Sequence, residues 1–167
     1  MCFSHYLPAR LFALACMMAG MLSITGCSSV KVYPDALPRN MQVLTDIDPG
    51  SQMPDAMIEL NIYRVKMNCS LQYEGQILVG NGKSDIGIPA DSLLYLDFIP
   101  VAKGKPSGPA NIVRYATLLN SRLGYSYKAR VSYFKDIYSV VIRESSNIGS
   151  VRRNLEQIPL SECRPRL

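Results

Sequence analysis

The residues with which this chain could do chemistry are five cysteines, thirteen aspartates and glutamates, ten tyrosines and one histidine; tryptophan is missing. Two carboxylate sets, Asp46/Asp48 and Glu59/Asp97, have the residue type that glycoside hydrolysis uses, one acid to protonate the leaving group and one to attack or to activate water. Asp46 and Asp48 stand beside Pro49-Gly50, where aspartate is ordinary turn chemistry, and they lack the oxygen-rich spacing of a calcium loop. Asp97 alternates with Leu96 and Phe98, which predicts solvent exposure. Gly80-Asn-Gly82-Lys83-Ser84 has the ending of a phosphate-binding loop. That loop needs a glycine five residues before its Gly-Lys pair, and Ile77 stands there. Asp85-Ile-Gly-Ile-Pro89 then reads as a strand, not as a helix whose N-terminus would hold phosphate. No catalytic residue is assigned. Tyr125, Tyr127 and Tyr133 share one side of a period-two stretch that also carries Lys128 and Arg130. A buried tyrosine side gives core residues whose hydroxyls reach the rim. An exposed one gives an amphipathic interaction face of Tyr125, Tyr127, Lys128, Arg130 and Tyr133.

Among the cysteines, Cys27 has the most telling neighbours. Residues 1–26 hold Arg10 and no acid, and Leu11–Leu22 is apolar apart from Gly20. A basic start, a short apolar run and a small-residue site are the parts of a secretory signal. The run is shorter than the roughly 20 residues that span a bilayer. Leu22-Ser23-Ile24-Thr25-Gly26-Cys27 resembles the lipobox of bacterial lipoproteins, with an apolar residue three before the cysteine and a small one directly before it. The resemblance implies that Cys27 is lipidated (diacylglyceryl on sulfur, acyl on the new N-terminus) and that residues 1–26 are removed. Ser28, in place of the aspartate that favours retention at the inner membrane, points to the outer membrane. Two or more acyl chains anchor stably, at about 0.8 kcal/mol per buried CH₂.

Once the signal is removed, 141 of the 167 residues remain, with 17 basic and 13 acidic side chains and a net charge of +4. That length suits one domain. Its charges are dispersed, a solvated surface being the plain reading and contact with anionic headgroups or an acidic partner the sharper one. No nucleic-acid module is present. His5 leaves with the signal, and with it go Ser-His-Asp catalysis, Cys-His catalysis and most zinc sites. Cys2 and Cys16 leave as well, and Cys27 is consumed by lipid. Cys69 and Cys163 remain, in an oxidising compartment, and are expected to pair. That bridge would close a loop of about 95 residues, stabilising by about 4 to 5 kcal/mol on the chain-entropy account.

The elements that must hold these residues read mostly as strands. Residues 27–55, with Pro34, Pro38, Pro49 and Pro54, read as a lipidated tether, and 56–167 as the globular domain. Ala56–Tyr63, Leu94–Phe98 and Tyr125–Tyr133 alternate with period two. Gln76–Gly80 leads into Asn81-Gly82, a hairpin signal, with Lys83–Ile88 returning. Lys135-Asp136 turns into the β-branched run Ile137–Ile142. Ile112, Tyr115, Leu118, Leu119 and Leu123 fall at helical spacing before Gly124, which predicts a short helix with a strand as the alternative. A second short helix is expected after Val151.

The order Ile62-Tyr-Arg64, a strand into Asn81-Gly82, Ile86-Gly87-Ile88, then Leu94–Phe98 resembles a scheme of small β-sandwich lipoproteins of unassigned function. The resemblance covers about 58–142 and departs at Pro100-Val-Ala-Lys-Gly, where that scheme often has Pro-Gly-x-His. The expected fold is mainly β: a small antiparallel β-sandwich-like domain with one or two short helices, after a signal peptide and a proline-containing tether. The expected role is that of a non-enzymatic structural or accessory module of the cell envelope. It would be lipid-anchored at the outer membrane, face the periplasm, bind an envelope protein and need no cofactor beyond the lipid on Cys27. The alternatives are a binding module for lipid or cell-wall fragments, using Lys103-Gly-Lys-Pro106 or the tyrosine side, and then a carboxylate hydrolase.

Overall fold

The computed structural model describes residues 30–51, 53–102, 113–135, 137–149 and 152–164. Cys27 and the Lys103–Pro106 loop lie outside them. The folded unit runs from Lys31, and its described residues form nine strands. These are β1 Arg39–Ile47, β2 Ala56–Val65, β3 Leu71–Val79, β4 Gly82–Gly87, β5 Ser92–Ala102, β6 Tyr115–Ser121, β7 Tyr125–Phe134, β8 Ile137–Ser146 and β9 Arg152–Leu155. They form two sheets, β3-β2-β5-β6 (sheet A) and β4-β1-β7-β8-β9 (sheet B). All the strand pairs are antiparallel except β1–β7.

Period-two alternation sends one row of each strand into the shared core. Ile58, Leu60, Ile62, Leu94, Leu96 and Phe98 of sheet A meet Met41, Val43, Ala129, Val131 and Ile142 of sheet B. Each of these is at most 2% exposed, and each large apolar side chain so buried contributes about 1.5 to 3 kcal/mol. The fold is therefore the expected β-sandwich, mainly β.

Three local expectations are corrected. The stretch 27–55 is not a tether throughout, because β1 lies in it, paired with β4 on one side and β7 on the other. Its Met41, Val43, Thr45 and Ile47 are buried, and the prolines that suggested a tether all fall outside the strand. Residues 113–123 form no helix: β6 is a strand whose outer side is partly covered, so its burial does not alternate strictly. Thr117, Leu119 and Ser121 are turned to the core side, while Leu118, on the other side, is also buried. The C-terminal segment lines that edge, with Leu118 N–H donating to Ile158 O at 2.7 Å and Ile158 N–H to Thr117 Oγ1 at 2.9 Å. Gly124 (φ +75°) turns the chain into β7 instead of capping a helix. Finally, Asn81-Gly82 closes no hairpin. β3 pairs with β2 and β4 with β1, so the chain changes sheet there.

The segment after Val151 forms β9 and then a 3-10 turn, Leu160–Glu162, before Cys163. Cys163 is bonded to Cys69 in the β2–β3 turn, with Cα atoms 5.9 Å apart.

Candidate interaction surface

The alternation of β7 divides the expected interaction face in two. Tyr127, Ala129, Val131 and Tyr133 are buried, whereas Lys128 and Arg130 are exposed on the opposite side. The tyrosines are core residues with hydroxyls at the rim. Tyr127 OH accepts the Arg122 N–H at 2.8 Å and donates to Glu144 Oε2 at 3.3 Å. Tyr133 packs with Ile47 and Ala56, its ring 6.5 Å from that of Tyr138. Tyr125 is half-buried beneath the Arg122 guanidinium, which lies 3.9 Å from its ring centre. No tyrosine of β7 belongs to a flat exposed patch.

The basic side chains do form a surface. Register places Asp85, Gln42, Lys128, Arg143 and Asn154 in one row across β4, β1, β7, β8 and β9. A second row sets Lys83, Leu44, Arg130 and Val141 side by side. Ser145 brings Arg152 alongside from β9. Lys128 and Arg143 are thus directly opposite, a like-charge pairing that costs a sheet stability. Among the described residues, no carboxylate forms an ion pair with Lys128, Arg130, Arg143 or Arg152. Two acids share this face: Asp46, exposed on β1 opposite Ser132, and Asp85, which is engaged by Gln42 Nε2 at 3.0 Å and Lys83 Nζ at 3.3 Å. The Gln42 hydrogen bond, with Lys83, holds the Asp85 carboxyl below the usual range. An open groove of about 550 Å³ runs over the surface, lined in part by Arg39, Gln42, Asp85, Lys128, Arg143 and Arg152. Its walls are polar and cationic, which suits carboxylate or phosphate oxygens, since arginine forks bind both in bidentate fashion.

Other arginines contrast with these four. Arg64 pairs with Glu74, Arg114 with Asp97, and Arg122 and Arg153 with Glu144. Of the four cations of sheet B, Arg143 donates from Nε to Asn154 Oδ1 at 2.8 Å across β8 and β9, but none of the four meets a carboxylate among the described residues.

The outer side of sheet A corrects the expectation for Asp97. It is 2% exposed, because β5 lies inside its sheet and Arg114 closes over it, Nε donating at 3.1 Å. Burial pushes its carboxyl up, the Arg114 hydrogen bond opposes this, and nearby Glu59 adds to it. Glu59 accepts from Asn61 Nδ2 at 2.7 Å, and Tyr73 OH donates to Asn61 Oδ1 at 3.1 Å. Both acids are therefore tied into a hydrogen-bonded cluster. Next to it, Tyr73, Tyr63 and Tyr95 are opposite one another across β3, β2 and β5, with ring centres 5.2 and 6.1 Å apart. Sequence reasoning missed this row, since only the outward phase of Tyr63 in β2 hinted at it and strand register was needed to align the others. Asp48, in contrast, serves its turn as expected, Oδ1 accepting the Gly50 N–H at 2.9 Å.

No protein-family model matches the chain, and no curated protein matches it. Among solved structures, transthyretin from Sparus aurata is similar in fold, with a TM-score of 0.46 and 9% identity, covering 65% of this chain and 100% of that one.

Proposed function

We propose that this chain is a bacterial lipoprotein, anchored through Cys27 at the outer membrane and facing the periplasm, whose sandwich is a non-enzymatic docking module of the cell envelope. Its docking surface is the outer face of sheet B, and its partner is an acidic envelope protein. The observation that carries the reading is the set Lys128, Arg130, Arg143 and Arg152, four exposed cations on adjoining strands without a carboxylate partner among the described residues. A fold gains nothing from setting Lys128 opposite Arg143, whereas an anionic partner gains both steering and register from it. The lipid adds no contact of its own but confines the module to a thin layer, which raises its effective concentration for a neighbour in the same layer.

Labelling cells with radioactive palmitate tests the anchor: the chain takes up label and sediments with outer membranes, and Cys27→Ser does neither. The docking face is tested on the same cells by recovering the chain with its neighbours at rising salt, because contacts between exposed charges weaken as the Debye length shrinks below about 10 Å. Recovery that is insensitive to both salt and Lys128→Glu would remove sheet B from the reading. The groove favours one alternative, a small polyanionic cell-wall fragment lying across Lys128 and Arg143, for which the same variant would abolish binding of the purified fragment.

A further inference from the structure

We infer that the outer side of sheet A, at its β3 end, rests on the bilayer that holds the anchor, turning the cationic face of sheet B away from it; this rests on Cys27 being lipidated.

The fold begins almost at the anchor. Tyr33 N–H donates to Gln76 O at 3.0 Å and Gln76 N–H to Lys31 O at 2.9 Å, so residues 31–33 are bound along the edge of β3. The Tyr33 ring is buried in the core cluster. Gly75 makes this approach possible: it has φ +148°, and a Cβ there would stand 2.6 Å from Tyr33 Cα. Lys31 is the fourth residue after Cys27, and four residues reach at most about 14 Å whatever path they take. A module on so short a lead cannot roam; some part of the surface near Lys31 must face the lipid.

The side chains at that edge suit the task. Val32 is 77% exposed and Leu78 53%. Both point to the outer side of sheet A: Val32 lies beside the inward Tyr33, and Leu78 is opposite Glu59, between the inward Ile77 and Val79. Lys31 adds a cation, its Nζ 3.2 Å from Tyr73 O, and half-buried Tyr73 and Tyr63 follow on the same side. Apolar tips with a lysine and tyrosines beside them match the headgroup boundary, where such surfaces enter by about 5 to 10 Å. Two other apolar groups compete: Phe134 and Ile137, 55% and 69% exposed at the β7–β8 turn, and Leu123 and Ile148, 74% and 91% exposed on neighbouring turns. Among the described residues neither group is tied to the segment leading from the anchor, whereas the first hydrogen bonds of the fold tie β3 to it.

A bilayer against the outer side of sheet A leaves the outer side of sheet B facing the opposite way, because the two sheets share one core. The four cations then look into the aqueous space, where the proposed acidic partner would be met, and not at the headgroups of the anchoring leaflet.

The chain contains no tryptophan, so single tryptophans report cleanly. Val32→Trp, Leu78→Trp, Phe134→Trp and Val141→Trp versions of the full chain, extracted from membranes, are reconstituted into vesicles of phosphatidylethanolamine and phosphatidylglycerol containing brominated lipid. Mass spectrometry of the mature N-terminus reports lipidation of the same samples. The expected result is quenching of Val32→Trp and Leu78→Trp by about twofold or more, the depth of an interfacial side chain, with Phe134→Trp and Val141→Trp unchanged. Stronger quenching at Phe134→Trp or Val141→Trp on a lipidated protein overturns the orientation and leaves the anchor standing, as does no quenching at all four positions. An N-terminus without lipid overturns both.

Discussion

Tyr127 stands in the core row of β7, yet its hydroxyl is 3.3 Å from Glu144 Oε2 at the rim of β8. Around this contact Arg122 and Arg153 both pair with Glu144, which is itself 3% exposed. The cluster joins the β6–β7 turn, β8 and β9. Tyr127→Phe should therefore lower stability by about 2 kcal/mol, because it removes a hydrogen bond to a charged group and the acceptor of the Arg122 N–H. Glu144→Gln should cost more, about 3 kcal/mol, the low end for breaking a buried pair because both arginines are partly exposed; denaturant unfolding of the variants measures both. Burial by itself would raise the Glu144 carboxyl, but hydrogen bonds from Arg122 and Arg153 outweigh it and hold the group below its usual value. Its contribution is therefore complete above the unfolded value, near 4.3, and is lost as pH falls through the lower folded value. The gap between the native chain and Glu144→Gln closes in that acid range.

Asp97 carries the opposite sign. Burial raises its carboxyl, so the charged form opposes folding above the folded value, and that penalty fades as pH falls toward the unfolded value. Arg114 is 57% exposed and returns to water at little cost if its partner is neutral. Asp97→Asn should match or exceed the native stability at neutral pH, with the difference shrinking in acid. A loss of about 3 kcal/mol or more at neutral pH, the size expected for breaking a buried pair, would show that the Arg114 pair dominates.

The Cys69–Cys163 bridge spans 94 residues of sequence and ties the segment lining β6 to the β2–β3 turn. Replacing both cysteines by serine should cost about 4 to 5 kcal/mol if loop closure governs the effect. Hydrogen exchange should show the Leu118 amide, which donates to Ile158 O, losing protection first. Unchanged protection there would mean that the C-terminal segment holds β6 without the bridge.

Gly75→Ala sets a side chain against the Tyr33 backbone at a φ that L-residues rarely adopt. It should destabilise by about 1 to 3 kcal/mol, and proteolysis should then cut the chain near Lys31, a site protected in the native protein.

What was legible in the chain followed from local pattern. β2, β5 and β7 carry a period-two stretch, β8 is a β-branched run, and the Cys69–Cys163 pairing follows from the fate of the other cysteines. β1 was hidden by the prolines on either side of it, although Met41, Val43, Thr45 and Ile47 alternate. β6 is hidden because Leu118, on its outer side, is apolar and buried next to Leu119, which leaves helical spacing by coincidence, and because the segment that lines its edge comes some 40 residues later. Asn81-Gly82 marked a turn correctly, but a turn does not say whether its strands stay in one sheet. Lys128 and Arg130 were singled out, but they were grouped with tyrosines on the opposite side of the same strand. Their true neighbours, Arg143 and Arg152, come from β8 and β9, and only register brings them together.

The central claim is that the cationic side of sheet B docks an acidic envelope protein. A photo-crosslinking residue at Val141, between those cations, in intact cells tests it most directly. The account predicts one dominant product, joined to an acidic segment of an envelope protein, that disappears when Lys128, Arg130, Arg143 and Arg152 are changed to glutamine and that is unaffected by Tyr127→Phe. The same product persisting in the glutamine variant, or a spread of abundant neighbours without a preferred site, would contradict it.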